Sequence, residues 1–241
     1  MIIIPDVHGR SFWKAAVEKA KENESIIFLG DYLDPYGWEG ITRKDAIAGF
    51  KEIIELKKSK SDQVTLLLGN HDYHYLPDDC PVKSRYDFEN AAEIQKLFRD
   101  NLGLFQIATI SGKYIFSHSG ILKPWVKEAA GILGKDPDIT SIPGILNRAL
   151  QKDPVEIGRI LLIVGRERGG WSDCGSCIWG DYHEFLWYPE DQYEGYYQIF
   201  GHTQQAKDPI IEEAWACLDC RRAFRLENDK IVELKNEEEN D

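Results

Sequence analysis

Short apolar runs alternate with longer amphipathic stretches through the first third of the chain. Residues 1–5, 26–29 and 64–68 are apolar and end at polar turns, as buried parallel strands do. Between them lie two stretches of helical period. Ser11 heads the first, with Phe12, Trp13, Ala16, Val17 and Ala20 on its apolar side. Thr42, with Asp45 three residues later, heads the second, which carries Ile47, Phe50, Ile53 and Ile54. This βαβαβ order predicts parallel strands joined by helical crossovers.

Beyond a polar loop at 73–86, a helix is predicted over 87–101 from Phe88, Ala91, Ala92, Ile94, Leu97 and Phe98. Strands at 105–110 and 113–117 are predicted to form a hairpin at Ser111-Gly112. Residues 121–163 are largely helical in pattern, with Pro137, Pro143 and Pro154 marking boundaries. The Gly- and aromatic-rich stretch 165–195 reads as an elaborated loop region. Strands resume at 197–200 and 214–219, and runs 222–227 and 230–234 form a hairpin around Asn228-Asp229. No repeat or linker divides the chain, so one domain over 1–235 is expected, followed by a frayed acidic tail at 236–241.

Composition narrows the classes. The chain has 241 residues, 43% of them apolar, enough for a sizeable core. A net charge of −12 argues against a nonspecific grip on nucleic acid or anionic lipid. It leaves room for an acidic substrate, because bound cations invert the local charge of a site. The apolar start is too short for a signal core or a membrane helix. Five cysteines, an odd number, do not read as a disulfide scaffold, and a reducing cytoplasm is expected.

The polar residues that end the strands carry the candidate chemistry. Asp6-Val7-His8-Gly9 follows the first strand, Gly30-Asp31 the second and Gly69-Asn70-His71-Asp72 the third. Ser117-His118-Ser119-Gly120 ends the hairpin, and Gly201-His202-Thr203 follows the strand at 197–200. Open α/β sheets gather ligands beyond the carboxyl ends of their strands. Taken singly, each piece reads as an ordinary turn. Together, they place carboxylate, amide and imidazole donors on one rim. Such a mixed O/N set suits Mn, Fe or Zn better than Ca.

The ordered set Asp6-x-His8-Gly9, Gly30-Asp31-x-x-Asp34, Gly69-Asn70-His71-Asp72, His118-x-Gly120 and Gly201-His202 resembles the calcineurin-like metallophosphoesterases, most of all the phosphoprotein-phosphatase branch and its bacterial and phage relatives. The resemblance runs to about residue 225. It implies two mixed β-sheets packed as a sandwich and flanked by helices. It also implies two divalent metal ions, one held by Asp6, His8 and Asp31, the other by Asp31, Asn70, His118 and His202. His71 would protonate the leaving oxygen and Asp34 would orient it. Two such cations clamp an in-line displacement at phosphorus.

Two departures bear on the substrate. Where relatives carry a phosphate-clamping arginine after the residue matching Asp34, this chain has Pro35-Tyr36-Gly37. Where a second is expected after a tryptophan, it has Trp179-Gly180-Asp181. Bidentate arginine is hard to replace at a phosphate, so Arg10, Arg166 and Arg168 are candidate substitutes, with Asn70 a further phosphate contact. Gln204, where the wider superfamily has a further histidine, agrees with the protein-phosphatase branch.

Other signals carry less. Cys174-x-x-Cys177 and Cys217-x-x-Cys220 have the outline of a four-thiolate zinc site. The second pair lies in the segment Ala214 to Arg221, read as continuing the strand at 214–219, where residues an odd number apart face opposite sides, so buried reduced thiols are the favoured reading. His74 and His183 read as polar loop residues. Trp179, Tyr182, Phe185, Trp187 and Tyr188 either wall a substrate groove or cap the core.

The expected function is a dinuclear metal-dependent phosphomonoesterase, similar to protein serine/threonine phosphatases, acting on a phosphorylated protein or small molecule. A phosphodiesterase or nucleotide pyrophosphohydrolase is the alternative within enzymes. A noncatalytic metal-binding scaffold is the alternative outside them, and the His71–Asp34 pair argues against it.

Overall fold

The computed structural model describes residues 1–235, so the tail expected at 236–241 lies outside the described residues. The first half of the chain forms β1 (Ile2–Ile4), α1 (Phe12–Glu18), β2 (Ile26–Phe28), α2 (Arg43–Ser59), β3 (Val64–Leu67), α3 (Asn70–Tyr73), α4 (Ala91–Asp100), β4 (Phe105–Gln106), β5 (Ala108–Ser111) and β6 (Tyr114–Ser117). There follow α5 (Lys123–Glu128), α6 (Ala130–Leu133), α7 (Ile142–Lys152), α8 (Gly158–Leu161), α9 (Tyr182–Trp187) and β7 (Tyr197–Phe200). The last strands are β8 (Ile210–Ile211), β9 (Trp215–Cys217), β10 (Phe224–Glu227) and β11 (Lys230–Glu233).

The strands form two mixed sheets, ordered β11-β10-β1-β2-β3-β4 and β5-β6-β7-β9-β8. Strands β1 to β4 are mutually parallel, with Ile2 opposite Ile26 and Ile26 opposite Val64. The hairpin β10–β11 adds antiparallel along β1. In the second sheet β6, β7 and β9 are parallel between antiparallel edges.

Strand alternation divides the core. Ile2, Ile4, Ile26, Phe28 and Leu66 face Trp13, Phe50, Ile53 and Phe98 of the helices, in one cluster. The intervening Ile3, Ile27 and Leu67 meet Phe116, Ile199 and Ala216 of the second sheet. Burying both faces explains why these strands read as unbroken apolar runs. Phe200 and Trp215 point the other way, where Phe185 of α9 covers them at ring distances of 4.8 and 5.6 Å. Most of the aromatic cluster at 179–188 is therefore a cap, and Trp179 alone of it approaches the strand-end rim.

Several expectations shift. The run 105–110 is two strands in different sheets. At the crossing, the Asn147 side chain accepts from Ile107 N at 2.7 Å and donates to Ala108 O at 2.9 Å. The helix expected over 87–101 begins at Ala91, because Asp87 folds 87–90 into a turn by accepting from Asn90 N at 3.2 Å. Phe88 consequently stands 76% exposed. Thr42 and Asp45 form the expected capping box, whereas the Ser11 side chain makes no capping bond.

The cysteines do not assemble. Cys174 and Cys217 sit under α9, Cys177 in the main core and Cys220 between the sheets. All are free, and among the described residues no group able to hold a metal includes one. Among the described residues, no helix is long and apolar enough to cross a membrane.

Candidate metal and phosphoester site

Each expected metal ligand leaves the carboxyl end of a strand: Asp6 and His8 after β1, Asp31 after β2, Asn70 after β3, His118 after β6 and His202 after β7. Both sheets therefore contribute. The turns bring backbone very close to side chains. A Cβ on Gly69 would lie 2.1 Å from Asp31 Oδ1, and one on Gly201 would lie 2.0 Å from Asp6 Oδ2. Only glycine fits either place. Non-glycine residues with left-handed backbone gather here too: His8 (φ 44°), Asp31 (53°), Asp34 (57°) and His202 (67°). Such conformations carry strain and recur at functional sites.

His118 Nε2 is the hub. It lies 3.0 Å from His202 Nδ1, 3.1 Å from Asn70 Oδ1, 3.4 Å from Asp31 Oδ2 and 3.8 Å from Asp6 Oδ1. Its Nδ1–H donates to Leu29 O at 2.9 Å, which fixes the ring with Nε2 aimed into the cluster. His8 repeats the arrangement, with Nδ1–H on Leu33 O at 2.8 Å and Nε2 3.5 Å from the same Asp31 Oδ2. One carboxylate oxygen thus lies between two imidazoles. Donor atoms of Asp31, His8 and His71 form one compact group, and those of Asp31, His118 and His202 a second.

The electrostatics show what these groups fit. Burial alone would lower the His118 pKa, but the Asp31 and Asp6 carboxylates push it up to about 10. Burial drives His8 down to about 3 against the pull of Asp31. Burial raises Asp6, whereas His118 and His71 carry Asp31 well below the ordinary carboxylate value despite its burial. Carboxylate, amide and imidazole groups converge with few donors, and among the described residues the buried His202 Nε2 has no partner. The cluster demands positive charge, and the residues fit divalent cations.

The neighbouring pair is formed as expected. His71 Nδ1 is 2.9 Å from Asp34 Oδ2. Tyr75 OH donates to the other Asp34 oxygen at 2.6 Å. His74, read as a polar loop residue, is instead fully buried, with Nε2 2.9 Å from Asp34 Oδ2, off the line of a hydrogen bond. Burial would raise the Asp34 pKa, but His71 and His74 bring it below the ordinary value.

Asp72 is a structural residue that the motif contains but that a role-by-role reading misses. Its carboxylate accepts from Asp31 N at 2.6 Å, Gly69 N at 2.8 Å and Tyr32 N at 3.0 Å. It welds the turn carrying Asp31 to the turn carrying Asn70.

The candidate arginines are placed differently from one another. Arg10 forms a two-point pair with Glu39 at 2.8 and 2.9 Å and donates to Asp6 O at 3.2 Å, so its fork is taken up. Arg166 pairs on the surface with Asp173. Arg168 Nε lies 2.9 Å from Asp181 Oδ2, and Nη2 reaches His202 O at 3.4 Å. The aspartate standing where an arginine is expected therefore holds one beside the cluster. Trp179 closes that side, its ring 5.8 Å from His202. His183 pairs with Asp181 outside the cluster, at 2.8 Å.

Two mixed sheets that converge these donors on one rim, with a buried imidazole–carboxylate pair beside them, define a metal-dependent phosphoric ester hydrolase. Residues 1–206 match the model of the family described as calcineurin-like phosphoesterase, and the chain belongs to that family.

Solved structures share the fold. A crystal structure of a cold-active protein-tyrosine phosphatase from a psychrophilic Shewanella species aligns over 96% of this chain and 76% of its own, at 15% identity and a TM-score of 0.55. A protein serine/threonine phosphatase of Saccharomyces cerevisiae, with similarity to human PP5, aligns at 14% identity and a TM-score of 0.51. That match covers 90% of this chain and 65% of the yeast chain. No curated protein sequence matches the chain.

Proposed function

We propose that the chain is a dinuclear phosphomonoesterase resembling protein serine/threonine phosphatases. The observation that carries the dinuclear reading is the position of Asp31 Oδ2, 3.5 Å from His8 Nε2 and 3.4 Å from His118 Nε2. Asp6, His8 and Asp31 would hold one cation, and Asp31, Asn70, His118 and His202 the other. Mn suits this donor set, with Fe or Zn as alternatives. The bound cations would supply Lewis acidity and an acidified water.

The chain's own residues do the rest. His71, held by Asp34, donates a proton to the departing oxygen, and Asp34 stabilises the imidazolium before transfer. Asn70 and Arg168 border the place a phosphoryl group would take. A phosphoprotein substrate is in keeping with the names of the two phosphatases of similar fold. Free, buried cysteines are in keeping with a reducing cytoplasm.

A phosphodiesterase or nucleotide pyrophosphohydrolase is the second reading. It is favoured by the engagement of Arg10 with Glu39 and of Arg168 with Asp181. A scaffold would need no acid beside its metals. The test is turnover with Mn²⁺ on p-nitrophenyl phosphate, bis-p-nitrophenyl phosphate and a phosphopeptide. Preference for the monoester and the peptide is expected. Strong preference for the diester would displace the first reading, and no turnover of any would favour the scaffold.

A further inference from the structure

Both places where a phosphate-clamping arginine is expected lack one, yet a guanidinium still lies over the His8 side of the site. It comes from Arg85, in the loop between α3 and α4. Its Nη2 lies 3.2 Å from His8 Nε2 and 3.4 Å from His8 Nδ1, and its Nε donates to Asp34 O at 3.1 Å. The guanidinium carbon sits 3.8 Å from the centroid of the Tyr36 ring. Tyr36 is in turn set edge-on to His8 at 5.1 Å and packed on Trp38 at 4.6 Å. We propose that Arg85, carried on Tyr36, is the phosphate-binding arginine of this site.

Three observations converge on that role. The first is charge. Arg10, Arg43, Arg166, Arg168 and Arg221 each have a carboxylate within 4.0 Å, whereas among the described residues Arg85 has none. A guanidinium that faces a cation-binding cluster without an acid of its own has its charge free for an anion. The second is the backbone. Arg85 has φ 47°, a left-handed conformation uncommon for a long side chain, which it shares with the site residues His8, Asp31, Asp34 and His202 and with positions such as Asn23, Asp136 and Arg221 elsewhere. The third is the platform. The segment Pro35-Tyr36-Gly37 stands where relatives carry the arginine, and the Tyr36 ring bears a guanidinium delivered from another part of the chain. Stacking restricts the fork while leaving its edge open, with Nη1 making no hydrogen bond among the described residues.

The inference rests on the phosphoester-hydrolase reading, and inorganic phosphate separates the two. Mn²⁺-loaded wild type, Arg85→Ala, Arg85→Lys and Tyr36→Leu are compared by metal analysis, thermal melting, calorimetric titration with inorganic phosphate and p-nitrophenyl phosphate kinetics. Arg85→Ala should keep its metal and its melting temperature but bind phosphate roughly 10–100-fold more weakly, with KM rising in parallel. Arg85→Lys should recover part of the loss, as a point charge without the fork. Tyr36→Leu should lose less, and adding it to Arg85→Ala should lose nothing more.

Wild-type phosphate affinity in fully metallated Arg85→Ala would overturn the proposal and leave the hydrolase reading intact. Loss of metal with unchanged phosphate affinity per metallated site would also overturn it, making Arg85 a support for His8. A wild type that neither hydrolyses esters nor binds phosphate would remove both readings.

Discussion

Replacing Asp72 by alanine tests how the site is held together. The wild-type carboxylate accepts three buried backbone N–H groups, from Asp31, Gly69 and Tyr32, at 2.6, 2.8 and 3.0 Å. Alanine leaves all three without an acceptor, in a place too buried for water to replace it freely. At about 1–3 kcal/mol for each of the three orphaned donors, the loss is roughly 3–9 kcal/mol. That is a large share of the ~5–15 kcal/mol that holds a typical domain together. Asp72→Asn should behave differently. Its amide oxygen can keep Asp31 N and Gly69 N, and only Tyr32 N then faces an NH₂ group. Burial and the neighbouring Asp31 charge raise the Asp72 pKa well above the ordinary carboxylate value. Removing that charge offsets part of the lost bond, so a cost of about 1 kcal/mol is expected.

The assay is urea unfolding of the three proteins, followed by tryptophan fluorescence at one saturating Mn²⁺ concentration. Metal affinity is measured separately and should fall in Asp72→Ala, because the turns carrying Asp31 and Asn70 come unpinned. A loss below about 1 kcal/mol in Asp72→Ala, or equal losses in the two variants, would refute the reasoning.

Other outcomes follow from the same geometry. His71→Asn should keep both metals yet slow turnover roughly 10²–10⁴-fold on alkyl phosphates and less on nitrophenyl phosphate, whose leaving group departs almost unaided; Asp34→Asn should show a smaller loss of the same type. A mutant-to-wild-type ratio that is flat across a leaving-group series would remove His71 from the acid role. Asp31→Asn should lose both cations on gel filtration, and two tightly bound ions by metal analysis would sink the bridging assignment. Burial pushes the Glu184 pKa up to about 7 from 4.5. Its contribution to stability is therefore full below about pH 4.5 and is lost as pH rises through about 7. Glu184→Gln should gain on wild type between pH 5 and 8, by on the order of 2 kcal/mol, and parallel stability–pH curves would contradict this.

The features legible in the sequence are those with a local signature. Strands buried on both faces appear as apolar runs, and the residues that end them are the site residues, so Asp6, Asp31, Asn70 and His118 stand out before any contact is known. Arg85 does not, because its partner His8 is 77 residues away and nothing nearby marks it as more than a surface arginine. His74 was hidden for a similar reason. Its loop looks polar, and its burial comes from Tyr75 and Tyr86, whose rings lie 4.4 and 4.9 Å away. The break at Ile107 escapes periodicity because it depends on Asn147, forty residues on. The four-residue β10 and β11 were legible as a hairpin, while the two-residue β8 is too short to show a period.

The span of chain that the site draws on has a consequence for synthesis. The first four proposed ligands, Asp6, His8, Asp31 and Asn70, leave the ribosome early, whereas His118 and His202 arrive much later. His202 N closes the circuit by donating to both Asp6 carboxylate oxygens at 3.0 Å, across 196 residues. A nascent chain stopped before residue 202 has His8, Asp31 and His118 but lacks the His202 N–H that both Asp6 carboxylate oxygens accept. In such a fragment the Asp6 carboxylate has lost the backbone donor that holds both of its oxygens in place. Capture of both proposed cations would therefore report that translation has passed residue 202 and that both sheets have docked.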